Sequence, residues 1–525
     1  MLLRLKESGP LYRQVADAVR EQIRSGRWPG GMRLPGSRTL ARDLAVSRIV
    51  VLVAYEQLAA EGYLAARRGS GSRVVEQVAD RMERPRIAAG KRGRRGPVSS
   101  YAERARSLEP QTFAPRKWRP DPAAIDFSYT RTLPDQRTLK SWRRALSRAA
   151  ATPIFDYPDP AGSERLRKLI ADDLREQRGV VAGPDDVVVV SGSQQALDIV
   201  SRLLVGEGAS IAIEDPHYQG TRQTLLAAGA RLVPCAVDSE GLDVERHARR
   251  LAGVRAVCVT PSHQFPTGAV MSVARRLKLL AWAAARNAWV VEDDYESEFR
   301  HGASAISALQ GLDAQGRVIY LGTFARSLFP GLRLGYVVVP PSLREHFRAI
   351  KWLADRGSSP AEQGALAELM ESGAYESARR RMGRSLARKR DALIGTLRAT
   401  FDAREVTWSG ASSGTHLFLR LRRVRARETG TIVDRAARLG VRVYSALPYF
   451  LRPPREAALI LGYATVSDED IEVGIPRLAR ALGLLRLPRL PGRRAAPMTP
   501  HLTPRARGGR AGCRSRPRRR QTRPA

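Results

Sequence analysis

Six short β-branched runs restrict the fold of this 525-residue chain more than any other feature. They lie at residues 187–190, 210–213, 254–260, 289–292, 318–321 and 335–339, and stretches of helical spacing separate them. A run of four valines such as Val187–Val190 has no polar face, so it suits a strand covered on both sides. Strands of this kind alternating with helices predict an α/β domain around a mostly parallel sheet. Residues 380–485 mix both periods and read as a smaller α+β subdomain. With 43% hydrophobic residues, the chain has enough apolar material for a core of that size.

The first 75 residues follow a different pattern. Leu11, Val15, Ala18, Val19 and Ile23 recur at helical spacing, and Gly30-Gly31 is expected to stop that helix. Ser37 is expected to cap a short amphipathic helix over residues 38–45, and Ser47 a second one running to about Ala60. Two short helices across a tight turn form a helix-turn-helix signature. Beyond them, Arg68-Gly69-Ser70-Gly71-Ser72 can form the tip of a hairpin.

Charge narrows the partner. The formal net charge is +37, which calls for a polyanion, with nucleic acid ahead of a membrane surface. The basic residues concentrate in the N-terminal unit, in a segment at 78–122 containing KRGRRGP, and in the last forty residues, which hold thirteen arginines and no acid. The segment at 78–122 reads as a flexible basic linker, and 488–525 as a disordered basic tail. No signal peptide and no membrane span are legible. Cys235, Cys258 and Cys513 are too few and too scattered for a disulfide framework, so a reducing cytoplasm is expected. The seven histidines show no metal-ligand spacing, and no metal is expected. His263, in the loop SHQFPTG, either lines a ligand pocket or lies in a surface loop.

Polar clusters close several of the strand runs, which is where open α/β sheets hold ligands. Val187–Val190 leads into Ser191-Gly192-Ser193-Gln194-Gln195, and the free N–H groups of a helix start there make an anion site. The run at 289–292 ends in Asp293-Asp294-Tyr295, and the run at 318–321 in Gly322-Thr323-Phe324-Ala325-Arg326.

Residues 10–75, from PLYRQVADAVREQIRSG to GYLAARRGSGSRV, resemble the GntR-type winged helix. The segments SGSQQALDIV, IEDPHY, TPSHQFPTG, VEDDYESEFR and GTFARSLFPGLRLGY resemble the fold-type I aminotransferases, and the whole chain is similar to the MocR/GabR group of regulators, which joins the two. The resemblance implies a winged-helix DNA-binding domain at 1–77 and an aminotransferase class I/II-like domain at 123–487. For the winged helix it implies that Ser37 and Arg38 meet phosphates and that Ser47 and Arg48 open the recognition helix. Arg48 would reach a base edge, and Arg68 and Gly69 would form the wing tip. Ile49 and Val50 stand where polar readers are common, which favours thymine-methyl contact or packing.

For the large domain the resemblance implies pyridoxal phosphate. Ser193 and Gln194 would hold its phosphate, with Thr323 and Arg333 adding contacts. Tyr218 would stack on the ring, Asp293 pair with the pyridine nitrogen, and Tyr295 bond the ring oxygen. Two residues depart from the pattern. The Schiff-base lysine falls at Arg326, and the serine usually before it is Ala325. A guanidinium stays protonated and cannot attack an aldehyde. No arginine precedes Gly462-Tyr463 where a substrate carboxylate is often fixed.

Three functions remain open at this point. The first is a homodimeric, cytoplasmic transcriptional regulator that binds a double-stranded DNA operator and senses the cofactor or an amine or amino-acid effector. The second is an aminotransferase that carries a DNA-binding module. The third is a decayed paralogue that binds DNA without ligand. Arg326 speaks against the second, because catalysis by this fold needs the lysine.

Overall fold

A computed structural model of the chain describes residues 3, 5, 8–67, 71–76, 97–108, 124–206, 208–296, 298–301 and 306–484. The chain divides into two compact units between Pro97 and Val98.

In the first unit, α1 (Leu11–Arg24) buries Val15, Ala16, Val19 and Ile23 along one stripe. That stripe faces α3 (Arg48–Ala60), whose buried residues are Val51, Ala54, Tyr55 and Leu58. Between them lies α2 (Ser37–Asp43), and Ala45 turns the chain into α3 at φ +53°. Two local expectations are corrected. The first helix ends at Arg24, before the glycine pair. Gly30 instead passes against Glu76, where a Cβ would come within 2.7 Å of the backbone. Ser37 is the first residue of α2 rather than its cap, and its hydroxyl accepts from Arg48 Nε at 3.3 Å. Ser47 does cap α3, accepting from the Val50 N–H at 3.4 Å. The wing is the antiparallel pair β1 (Leu64–Arg67) and β2 (Gly71–Val74); its tip, with Arg68 and Gly69, lies outside the described residues.

The second unit begins with a helix, Ser100–Ser107, inside the segment expected to be a flexible linker. Ser99 caps it, and Arg104 Nε donates to the Ala227 carbonyl at 3.0 Å. None of its residues is buried, so the sequence shows no apolar period there. Residues 77–96 and 109–123, and the tail, lie outside the described residues.

After β3 (Ile125–Asp126) come the strands of the main sheet: β4 (Val187–Val190), β5 (Ser210–Asp215), β6 (Arg231–Asp238), β7 (Gly241–Leu242), β8 (Ala256–Val259), β9 (Trp289–Asp294), β10 (Val318–Thr323) and β11 (Gly335–Val338). Their order is β4-β11-β10-β9-β8-β5-β6-β7. From β10 to β6 all pairings are parallel, and only β11 and the two-residue β7 run against their neighbours. Every residue of β4, β5, β8, β10 and β11 is buried, as the absence of alternation in their sequences predicts.

The smaller subdomain is a four-stranded sheet of β12 (Val406–Ser409), β13 (His416–Arg425), β15 (Tyr444–Ser445) and β16 (Glu456–Gly462), in the order β12-β13-β16-β15. A further strand, β14 (Val441–Arg442), pairs parallel with β3. Leu417, Leu419, Leu459 and Leu461 share one core with Leu393 and Leu397 of the 27-residue helix Ala374–Thr400. Among the described residues no helix is long and apolar enough to cross a membrane.

Candidate functional site

On the winged unit, Arg38, Ser47 and Arg48 are exposed, as a DNA-contacting surface requires. Ser37 is half-buried and tied to Arg48. Ile49 is 71% exposed, whereas Val50 packs against the core. The two readings of this pair therefore separate, with Ile49 free for an apolar contact and Val50 serving the fold.

In the second unit, the ends of β9 and β10 and the helix after β4 surround a cavity of about 220 Å³. Ser193, Tyr218, Asp293, Tyr295, Thr323, Arg326 and Arg333 all line it. Gln194 does not; its amide turns away to donate to Thr224 Oγ1 at 2.8 Å. Gly192 turns at φ +82° before the helix Ser193–Leu204, and a Cβ there would come within 3.0 Å of Arg333. The glycine lets the Arg333 guanidinium lie over the helix start, where Nη2 donates to the Ser191 carbonyl at 2.8 Å. A guanidinium beside open helical N–H groups favours an oxyanion. Gly220 plays a similar part, since its Cβ would strike the Tyr218 ring at 2.3 Å.

Strand alternation gives the two adjacent aspartates different tasks. Asp293 faces the cavity. Burial pushes its carboxyl up to about 6; Asp294 and Glu214 add to the rise, while His217 and Arg326 oppose it. Asp294 points the other way. It accepts from Arg178 Nε at 3.0 Å and from the Tyr320 hydroxyl at 2.6 Å. Tyr295 brings a buried hydroxyl without a hydrogen-bond partner to the cavity. An orphaned hydroxyl, a carboxyl and an anion-favouring helix start fit the ring oxygen, ring nitrogen and phosphate of pyridoxal phosphate.

Arg326 is fixed from two sides. Nη1 donates to the Tyr129 carbonyl at 2.9 Å, and Nε lies 3.3 Å from Glu296 Oε1. Its guanidinium stands 5.9 Å from the Tyr295 ring centre. Among the described residues no lysine lines the cavity. Lys351 is buried against Asp355 and Ser358, and Lys278 pairs with Glu245.

The sequence did not reveal the aromatic wall. Tyr129, Phe265 and Tyr449 join the cavity from three remote segments. Phe265 meets Tyr449 edge-on at 4.9 Å, Tyr295 at 5.8 Å and Tyr218 at 5.9 Å, and the Tyr129 and Tyr449 hydroxyls bond each other. The segments of Tyr129 and Tyr449 carry no polar cluster or motif that points to a site, so no local signal marks them. His263 fits neither reading given to it. It is 2% exposed and is absent from the cavity lining; its neighbours are Ser413, Glu296 and His416. Folding also brings His263, Glu296 and His416 together, a grouping that their spacing along the sequence does not show.

Known proteins carry both halves. The family model "Bacterial regulatory proteins, gntR family" matches residues 11–74, and "Aminotransferase class I and II" matches residues 127–475. The chain is 36% identical to the probable rhizopine catabolism regulatory protein MocR of Rhizobium meliloti, over 90% of this chain and 94% of that one. It is 33% identical to the HTH-type transcriptional regulator TauR of Rhodobacter capsulatus, over 90% of this chain and 97% of that one. Among solved structures it is similar to LysN, an α-aminoadipate aminotransferase of Thermus thermophilus complexed with N-(5'-phosphopyridoxyl)-L-leucine. The TM-score is 0.65 and the identity 27%, covering 74% of this chain and 97% of that one. Fold and site thus define a transcriptional regulator built on an aminotransferase scaffold. The chain belongs to the MocR-type HTH regulators, in which a GntR domain is joined to an aminotransferase class I/II domain.

Proposed function

We propose that this regulator binds a double-stranded DNA operator through residues 1–77 and holds pyridoxal phosphate, or its adduct with an amine or amino acid, without a covalent bond. The observation that supports this reading is the cavity itself: Ser193, Tyr218, Asp293, Tyr295 and Arg333 line it together, while Arg326 occupies the wall and no described lysine does. Bound there, the cofactor would supply an electron-withdrawing ring and an aldehyde. Ser193 and Arg333 would hold its phosphate, Asp293 its ring nitrogen, and Tyr295 its ring oxygen, with Tyr218 beside the ring. Transamination is not expected, because no side chain in the cavity can form the covalent link or shuttle the proton as lysine does.

Titration with pyridoxal phosphate, followed by absorbance, tests this. Asp293 must be ionised to pair with a ring cation, and its carboxyl is pushed up to about 6. Affinity is therefore expected to fall as pH drops through that value. Asp293→Asn should weaken binding about 10- to 100-fold, the worth of a charged hydrogen bond, and flatten the pH dependence. Wild-type affinity in that variant would remove Asp293 from the site.

On DNA, Arg48→Ala should cost about 1–3 kcal/mol on the operator and relax specificity at one base pair. Equal weakening on random DNA, measured at one salt concentration, would assign Arg48 to phosphate alone. A regulator that acts on DNA is expected to work in the cytoplasm. We take the working state to be a homodimer, since two winged helices on repeated half-sites need one. The exposed run Ile154, Phe155 and Tyr157, with Phe155 96% exposed, supports that reading as a surface for a second copy to cover.

A further inference from the structure

Beside the cavity, three buried side chains meet that the cofactor reading leaves unused. His263 follows β8, Glu296 follows β9, and His416 opens β13 of the smaller sheet. His263 is 2% exposed, Glu296 1% and His416 1%. His416 Nε2 lies 3.1 Å from the Pro266 carbonyl. A carbonyl only accepts, so Nε2 carries the proton of the neutral ring, and Nδ1 is a bare lone pair. That Nδ1 faces Glu296 Oε2 at 3.6 Å. On the other ring, His263 Nδ1 bonds the Ser413 hydroxyl at 2.8 Å, and Nε2 faces the same Oε2 at 3.9 Å.

Neither Nε2 of His263 nor Nδ1 of His416 has a hydrogen-bond partner. Buried polar atoms are rarely left so, and a lone pair turned toward a carboxylate is unfavourable unless a cation lies between them. The three facing atoms lie within 4.8 Å of one another. The space is kept by Gly414 at φ +83°, where a Cβ would come within 2.6 Å of His263 Nε2 and 2.7 Å of Glu296 Oε2.

We propose that His263, Glu296 and His416 form a binding site for a divalent transition metal, with zinc as the ion best suited to two imidazoles and one carboxylate. A tetrahedron with bonds of about 2.0–2.1 Å has edges of about 3.4 Å, so a small inward turn of the two rings closes the site. The outer partners are those a metal site needs. The Pro266 carbonyl and Ser413 orient the rings, and Thr415 holds Glu296, its N–H 3.0 Å from Oε2 and its hydroxyl 2.6 Å from Oε1. The ion would tie the loops after β8 and β9 to the smaller sheet, and it would share Glu296 with Arg326, linking its occupancy to the cavity wall. Zinc would bind here whether or not the cavity holds the cofactor.

The test uses the full chain stripped with a chelator and titrated with Zn²⁺, with Co²⁺ as a spectroscopic probe. The expected result is one zinc per chain by elemental analysis after gel filtration, a higher unfolding temperature, and visible Co²⁺ bands of a four-coordinate N/O site. Glu296→Gln and His416→Gln should abolish all three. Ser413→Ala keeps every ligand but frees the His263 ring, and should weaken zinc binding about 10- to 100-fold. A wild-type chain that retains no more zinc than Glu296→Gln overturns the site, as does wild-type retention in either ligand variant. Should Glu296→Gln fail to fold, unchanged zinc affinity in Ser413→Ala overturns it.

Discussion

Arg326→Lys is expected to turn a chain that cannot be covalently labelled through its cavity into one that can. After incubation with pyridoxal phosphate and reduction by borohydride, mass spectrometry should find a stable adduct at residue 326 of the variant and none on any lysine of the wild-type cavity. The reason is the nucleophile. A neutral amine attacks the aldehyde, and lysine supplies one when deprotonated, whereas a guanidinium does not lose its proton in a protein. The surroundings set the pH dependence. Glu296 Oε1 lies 3.3 Å from Arg326 Nε, and a carboxylate so close favours the ammonium form of a lysine put there. The yield of adduct should therefore rise with pH. A wild-type adduct in the cavity would refute non-covalent binding. A lysine variant without adduct at any pH would mean that the cavity no longer accepts the cofactor, and would leave a DNA-binding protein without that ligand.

How far the sequence could be read follows from what each element buries. The six β-branched runs coincide with β4, β5, β8, β9, β10 and β11, because strands covered on both faces carry an unbroken apolar signal. β6 escaped notice. Only Cys235 in it is buried, and Pro234 interrupts it, so it offers neither a continuous run nor a clean alternation. Helix Ser100–Ser107 escaped for the complementary reason that it buries nothing. In the cavity, Ser193, Asp293, Tyr295 and Thr323 stand at strand ends or just beyond them, where chain position predicts ligand position, whereas Arg333 was legible only through the family resemblance. Tyr129, Phe265 and Tyr449 could not, because only the tertiary fold brings their segments together. The same holds for His263 and His416, each inconspicuous until Glu296 lies between them.

Arg178 shows most clearly what local reading misses, and it carries the second large expected effect. It sits in the last turn of helix Glu164–Arg178, and arginines are mostly exposed unless paired. Yet the Arg178 side chain is 6% exposed and pairs at 2.9 Å with Asp294, which is 1% exposed. Nη2 also donates to Ser262 Oγ at 2.8 Å, and Nη1 to the Ile306 carbonyl. Arg178→Met should destabilise the large unit by about 3–5 kcal/mol, since it leaves Asp294 buried and charged with only the Tyr320 hydroxyl to answer it. Glu292 shares that face of β9, and burial, reinforced by Asp294, already pushes it up to about 7. The loss is measured by unfolding in urea. Pairing the change with Asp294→Asn removes the stranded charge, and the double variant should recover most of the stability. A single variant that loses less than about 1 kcal/mol would show that the pair is solvated and does not hold the back of β9 in place.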